Sequence, residues 1–542
     1  MKKIINFKTI MLSMFVVSIA FSACKDDEKT PTPDVTTSDT TVACNAFAKT
    51  IEENPAANLV LGTLDGTTNK GTPTFSLLSE SPNGAFAVNA VTGELSVADE
   101  SLYTIATNPT LTGTFEVSNG GQTTNCTITI TLEDTASIAL PDCGVDPTYT
   151  KIYDGTVQLK SQDDIDTFAS SGWTEVTGKL AISGSTVTDM SGLRSIVKVG
   201  ELTVWYISQS EDLNGLCNLQ EIEGRLEIQS SNGLTSLKGL ERLKTIGGEL
   251  EISYCSKLEN INALANLELV GYPSGGSFEY NNITLESLPK LVDLVGLDKL
   301  TATRELRIIE NNSLTSLKGI SGIKTAMNVF IETNPVLVNL NEVKLETVDK
   351  KVIIDGNAGL TSVDIATLTS SNELWINENN ALLDLSGFAN LTTLGNFAMF
   401  KNTALTTISG FNTIETIGTG GTVNKFYINN NQALTSITGF AKLKAIKGGF
   451  GINECRKLNS ISAFKVEDIE GSLTLAYADL SNLLGLGNLV KLGASVAIRK
   501  NPKLTDFCAL KPLLIGTGFS GSWSVVDNAA NPTEADVKTN CP

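Results

Sequence analysis

No histidine occurs among the 542 residues, which removes imidazole acid–base catalysis, His-based triads, His-ligated zinc and His-held haem together. Any catalysis would have to rest on carboxylates. Charged residues are scarce at 18% and aromatics at 6%, against 41% apolar residues. The chain is therefore neither a charged disordered tail nor a membrane bundle, and it can bury a large core. Positive charge is in deficit, with Lys+Arg 40 against Asp+Glu 59 and a formal charge of −19. No basic stripe interrupts that balance, so nucleic acid is repelled and is not an expected partner. The apolar stretch from Ile10 to Phe21 is too short to span a membrane. It follows Lys2 and Lys3 and closes on Ser22-Ala23-Cys24, the layout of an export signal over residues 1–23.

The small residues before Cys24 resemble a lipobox, which implies that Cys24 carries the lipid anchor, with palmitate among its acyl chains. The alternative is an ordinary signal peptide with a chance cysteine. Removal of residues 1–23 also removes Lys2, Lys3 and Lys8, so −19 becomes −22. Lys25-Asp26-Asp27-Glu28 resembles the acidic run that places Bacteroidota lipoproteins on the outer face of the outer membrane, although four charged residues also read as a solvated tether. From Lys29 to Val42 there is almost nothing to bury, and residues 24–42 read as an anchored flexible linker.

Residues 43–135 carry short β-rich runs between Gly, Asn and Pro punctuation, including Asn58 to Leu61, Thr74 to Leu77, Gly113 to Val117 and Cys126 to Leu132. This is the spacing of a small β-sandwich. The order Ile51-Glu52-Glu53-Asn54, Gly84 to Val88, Thr92-Gly93-Glu94-Leu95-Ser96-Val97 and Leu132-Glu133-Asp134 resembles a cadherin repeat (Ig-like sandwich). That resemblance implies calcium held by oxygen ligands. Glu53, Asp99, Glu100 and Asp134 would fill some of the places. Asp65 lies where an Asp-x-Asp is expected, but its spacing partner is Thr67, and a metal-free sandwich is the alternative. Terminal strands of such sandwiches lie side by side, which places Cys44 and Cys126 for a bridge in an exported chain.

From residue 136 a connector and N-terminal cap lead into an internal repeat over 180–503, closed by a cap at 504–542. Cores of the form Leu-x-Ile start at Leu180, Leu202, Leu226, Leu250, Phe278, Leu306, Val329, Val352, Leu374, Phe397, Phe426, Phe450, Leu473, Val496 and Trp523. Most gaps are 22–24 residues, and four of 27–29 read as insertions. A period near 23 over about fifteen turns is a solenoid signature, because no single turn can bury its own apolar side. Five residues after each start, Asn311, Asn334, Asn357, Asn379, Asn402, Asn431, Asn501 and Asn528 recur, with Cys255 and Cys455 in two turns. Inward amides at a tight turn form a structural hydrogen-bonded ladder. The pattern Leu-x-Ile-x-x-Asn, Leu-Thr-Ser-Leu-x-Gly-Leu, Leu-x-x-Ile-Gly-Gly resembles the leucine-rich-repeat-like receptor L-domain family. That resemblance implies a right-handed β-solenoid that binds partners and has no catalytic residues to carry over.

Nine cysteines less Cys24 leave eight. Cys255 and Cys455, in the first and last of nine successive turns, cannot meet. Cys508 and Cys541 would pin the C-terminal cap, while the pairing of Cys143 and Cys217 stays open. The middle residue of each Leu-x-Ile points outward, giving a column in which Phe330, Ile353, Trp375 and Tyr427, with Phe400 beside Ala398, present apolar surface over roughly 20 Å. Such a surface marks an interaction site, unless it serves strand pairing or lies under a loop. Glu227, Glu251 and Glu279 form an acidic stretch of the same column, read first as a soluble face. The expectation is a non-enzymatic, lipid-anchored surface protein that binds a host or bacterial protein or a glycan. The alternatives are a carbohydrate-active β-helix enzyme with paired carboxylates and a purely structural surface protein.

Overall fold

The computed structural model describes residues 40–52, 55, 58–104, 107–133, 140, 142–144, 147, 149–271, 281–418 and 424–541. The export signal, Cys24, Glu53, Asp134, Phe278 and Glu279 lie outside the described residues. The chain divides into two compact units, 1–135 and 136–542. Among the described residues no helix is long and apolar enough to cross a membrane.

The first unit is a β-sandwich. One sheet runs in the order Phe47–Glu52, Thr123–Glu133, Thr110–Ser118, Thr74–Ser81, and the other in the order Val60–Thr63, Glu94–Val97, Phe86–Val88. Alternation drives the packing: Leu111, Phe115 and Val117 of one strand and Ile128 and Ile130 of its neighbour are fully buried. They meet Phe86, Leu95 and Val97 of the opposing hairpin. Phe47–Glu52 lies parallel beside Thr123–Glu133. Close by, Cys44 is bonded to Cys126, with their Cα atoms 6.1 Å apart.

The second unit is a β-solenoid with all its stacked strands parallel. In-register pairing runs through Val157, Leu180, Leu202, Leu226, Leu250, Ile283, Leu306 and Val329. It continues through Val352, Leu374, Phe397, Phe426, Phe450, Leu473, Val496 and Trp523. The stack therefore begins one turn before Leu180, at Val157. One start is corrected: Ile283, not Phe278, pairs with both Leu250 and Leu306. Ile283-Thr-Leu285 has the same in–out alternation as its neighbours, and the insertion precedes it rather than following it.

Each turn bends at the same two residues. Four positions after the start the backbone is left-handed in turn after turn, at Tyr206, Ser230, Tyr254, Ser287, Glu310, Thr333, Gly356, Glu378, Lys401, Asn430, Glu454, Tyr477, Lys500 and Asp527. A β-branched Thr333 at φ 56° shows that this is set by the stack and not by local preference. The next residue is the ladder position. Asn357 Nδ2 donates to Ile331 O of the preceding turn at 2.8 Å, and Asn357 Oδ1 accepts from Asn334 N at 3.0 Å. The same pair of bonds recurs at Asn334, Asn379, Asn402 and Asn501. Ser231 serves the ladder in an early turn, accepting from Ile207 N and donating to Val204 O. At the cysteine positions the sulfur accepts from Asn431 in the case of Cys455, and burial pushes both Cys255 and Cys455 up to about 11.

The ends are closed covalently. Cys143 is bonded to Cys217 and Cys508 to Cys541. The latter ties the Cys508–Leu510 turn to the end of the helix Glu534–Asn540, over the last strand, Trp523–Val526. Inside, turns 374 to 473 replace Leu by stacked rings, with Phe411 against Phe440 at 4.7 Å and Phe426 against Phe450 at 4.9 Å. Phe397 and Phe426 of this ring cluster start the strands that carry Phe400 and Tyr427 on their outer face.

Candidate functional site

The outer face of the main strands is three residues wide, because positions one before, one after and three after each start all point away from the core. The central column reads Arg307, Phe330, Ile353, Trp375, Ala398, Tyr427, Gly451 in strand register. Its aromatic members are half-buried, because they lie down against the sheet and one another. Phe400 belongs to the next column, paired with Asn377 and Asn429, yet its ring centroid is 5.3 Å from that of Tyr427. Ala398, only 7% exposed, is the small residue that leaves room for this arrangement. Gly451 does the same one turn on, since a Cβ there would sit 2.7 Å from a ring carbon of Tyr427. The backbone of Gly451 is not left-handed, so the overlying ring is what requires glycine.

Cations close the strip at one end. The Arg307 guanidinium stacks on Phe330 at 4.9 Å from its centroid while held by Glu305 at 3.0 Å. Phe330 is thus the boundary of the open surface. Lys351 lies 5.6 Å from the centre of Trp375 and 3.5 Å from Glu373. Ile353, Trp375, Phe400 and Tyr427 remain as a paved strip rimmed by Asn328, Lys351, Glu373, Asn396 and Lys425 on one side and by Glu332, Asp355, Asn377, Asn429 and Asn453 on the other. On this rim the Asn377 and Asn453 Oδ1 atoms, and Trp375 Nε1 within the strip, are buried without a hydrogen-bond partner.

Sequence reasoning missed the carboxylate pair Glu332 and Asp355, which lie in register on adjacent turns. Burial, then the charge of Asp355, raises Glu332 above the ordinary carboxylate range, with Arg307 acting in the opposite direction. Burial also raises Asp355, partly offset by a hydrogen bond from Asn377. The signal that could have found them was present: they stand three residues after their starts, the same column that holds Phe400.

The acidic column is corrected. Glu227 is 7% exposed and is bridged by Arg225 at 3.2 Å, with Glu249 and Glu251 on the same guanidinium. Burial raises Glu227, with Arg225 opposing. These residues form a structural ion-pair cluster rather than a solvated face, and Thr284 holds the register position assigned to Glu279. In the sandwich, Asp99 Oδ1 accepts from Ser101 N at 3.0 Å and Ser101 Oγ at 2.6 Å, capping a short turn that contains Glu100. Asp65 accepts from Asn45. Among the described residues no group of three or more metal-capable side chains comes together; Glu53 and Asp134, the other members of the expected calcium set, lie outside them.

The receptor L domain family model matches residues 174–270 and 220–321, which are early turns of the solenoid. No curated protein matches the chain. Among solved structures the chain is similar to Protocadherin Gamma B2 extracellular cadherin domains 3-6, at 16% identity and a TM-score of 0.16. That likeness covers 18% of this chain and 22% of the other, so this chain spans about a fifth of that protein, too little to support a shared function. The mostly β chain carries a receptor-L-domain-like solenoid, an architecture that suits a ligand-binding surface protein.

Proposed function

We propose that the protein is a non-enzymatic surface lipoprotein, held at the outer membrane through Cys24 and facing the exterior. In this reading it binds a protein or glycan ligand through the strand face between Phe330 and Tyr427. The observation that carries the reading is the paved strip itself. Half-buried aromatic rings on the consecutive turns of Trp375, Phe400 and Tyr427, beside small residues that make room for them, are not needed for strand pairing, since other turns pair equally well with Thr203, Thr284 or Thr474 at the same position. The chain from residue 29 onward, displayed to arrays of glycans and matrix proteins, is expected to bind. A Trp375→Ala, Tyr427→Ala double variant is expected to lose at least about tenfold in affinity. Equal binding by the variant would sink the site assignment.

One observation favours a second reading. Glu332 and Asp355 stand beside the strip with raised pKa values, the environment in which one carboxylic acid protonates a leaving group while its neighbour stays ionised. Release of soluble products from a polysaccharide by the wild type, abolished by Glu332→Gln or Asp355→Asn, would convert the binding protein into an enzyme.

A further inference from the structure

We infer that the corner of the solenoid around Tyr477, separate from the strand strip, binds a sugar bearing one acidic substituent. Charge singles it out first. From Lys442 to Lys511 there are eleven Lys and Arg residues against six Asp and Glu, a positive stretch in a chain of formal charge −19. Within that stretch Asp468 and Glu470 hold Lys447, Asp468 also holds Lys491, and Asp479 holds Lys503 at 2.7 Å. Among the described residues Arg456 and Lys500 are bridged to no carboxylate and turn instead to Tyr477.

The Arg456 guanidinium, from the turn before, lies 5.2 Å from the Tyr477 ring centroid. The Lys500 ammonium, from the turn after, lies 4.9 Å from the same centroid and donates to the phenol oxygen at 3.0 Å. The ring thus orders two long cationic side chains before any ligand arrives, which removes part of the entropic cost of binding. A stacked guanidinium keeps its N–H edge open to a pair of oxygens, and the ammonium adds a point charge, so the pair suits an oxyanion. All three side chains line one cavity of about 450 Å³ together with Pro502 and Asp527. That volume is larger than a bare sulfate or phosphate fills, so the anion comes attached to a larger body. Asp527 in the wall accepts hydrogen bonds and repels a second negative charge, so the rest of the ligand offers hydroxyls there.

The test is calorimetric titration of the chain from residue 29, at low salt, with N-acetylglucosamine 6-sulfate, N-acetylglucosamine 6-phosphate and glucuronate, beside N-acetylglucosamine and inorganic sulfate. The three acidic sugars separate sulfate, phosphate and carboxylate as the preferred group. At least one is expected to bind, more tightly than inorganic sulfate or the neutral sugar, and to weaken as salt is raised. Arg456→Ala and Lys500→Ala should each weaken it about tenfold. The melting temperature should change little, because both side chains are exposed, and Trp375→Ala should leave the binding as it is. Inorganic sulfate bound as tightly as the acidic sugars would overturn the sugar as the ligand class. Binding indifferent to Arg456→Ala and Lys500→Ala, or lost in Trp375→Ala, would overturn the corner as its site. No binding of any of the three acidic sugars overturns the inference.

Discussion

Replacing Asn357 by alanine tests how the stack is held together. The residue is fully buried, and its amide joins its own turn to the preceding one and, through Nδ2 to Asn379 Oδ1 at 3.3 Å, to the next. Nδ2 donates to Ile331 O at 2.8 Å and to Asp355 O at 3.2 Å, and Oδ1 accepts from Asn334 N at 3.0 Å and Asn334 Nδ2 at 3.2 Å. Alanine leaves the buried Asn334 N–H without its acceptor and Ile331 O without this donor. At about 1–3 kcal/mol for each stranded buried group, the loss comes to about 2–6 kcal/mol. That is a large fraction of the stability of an ordinary domain. Because each turn contacts only its neighbours, the damage should be local. Native-state hydrogen exchange should show the Asn334 amide exchanging about 100-fold faster if ~3 kcal/mol is lost, with turns near Leu202 unchanged. Asn528→Ala, at the end of the ladder where the residue is half-buried and bonds to Asn531, should be milder. A cost below ~0.5 kcal/mol for Asn357→Ala, with Asn334 protected as before, would refute the ladder as a source of stability.

Other outcomes follow from the same geometry. Burial and the neighbouring carboxylate raise Glu332 in the folded state, so the native protein keeps a proton that the unfolded chain has released. Stability from this group is therefore lost as pH climbs from the ordinary carboxylate range toward neutrality. Glu332→Gln should melt higher than the wild type at pH 7, with the advantage gone below about pH 4. Arg225→Ala strands the buried Glu227 and should destabilise by about 1–3 kcal/mol in urea unfolding, a loss that Glu227→Gln in the same chain should partly restore. Cys255 and Cys455, buried with thiols pushed up to about 11, should resist alkylation in the native protein and react fully once it is unfolded.

Much of this architecture was legible because it repeats. The 23-residue period places all but one of the strand starts expected from the sequence, and the Asn-or-Cys positions mark the ladder. The period failed at Phe278, where an insertion shifted the register and an aromatic residue at a plausible gap took the place of Ile283. It also gave no account of what flanks each column. Periodicity says that Glu227 points outward, but not that Arg225 folds across it. It singles out Trp375, but not the pair Glu332 and Asp355, whose character comes from mutual proximity and burial. Nor does it explain Gly451, which only the position of the Tyr427 ring accounts for.

The central claim is that ligand covers the strand face from Phe330 to Tyr427. Oxidative footprinting of side chains, with and without a ligand identified on the arrays, tests it directly, because the protein supplies its own controls. Tyr206 and Tyr254 are 61% and 47% exposed on the solenoid's corner, away from the strip. Protection of Trp375, Phe400 and Tyr427 with Tyr206 and Tyr254 oxidised as before is the predicted result. Protection of Tyr206 and Tyr254 with the strip left reactive would contradict it.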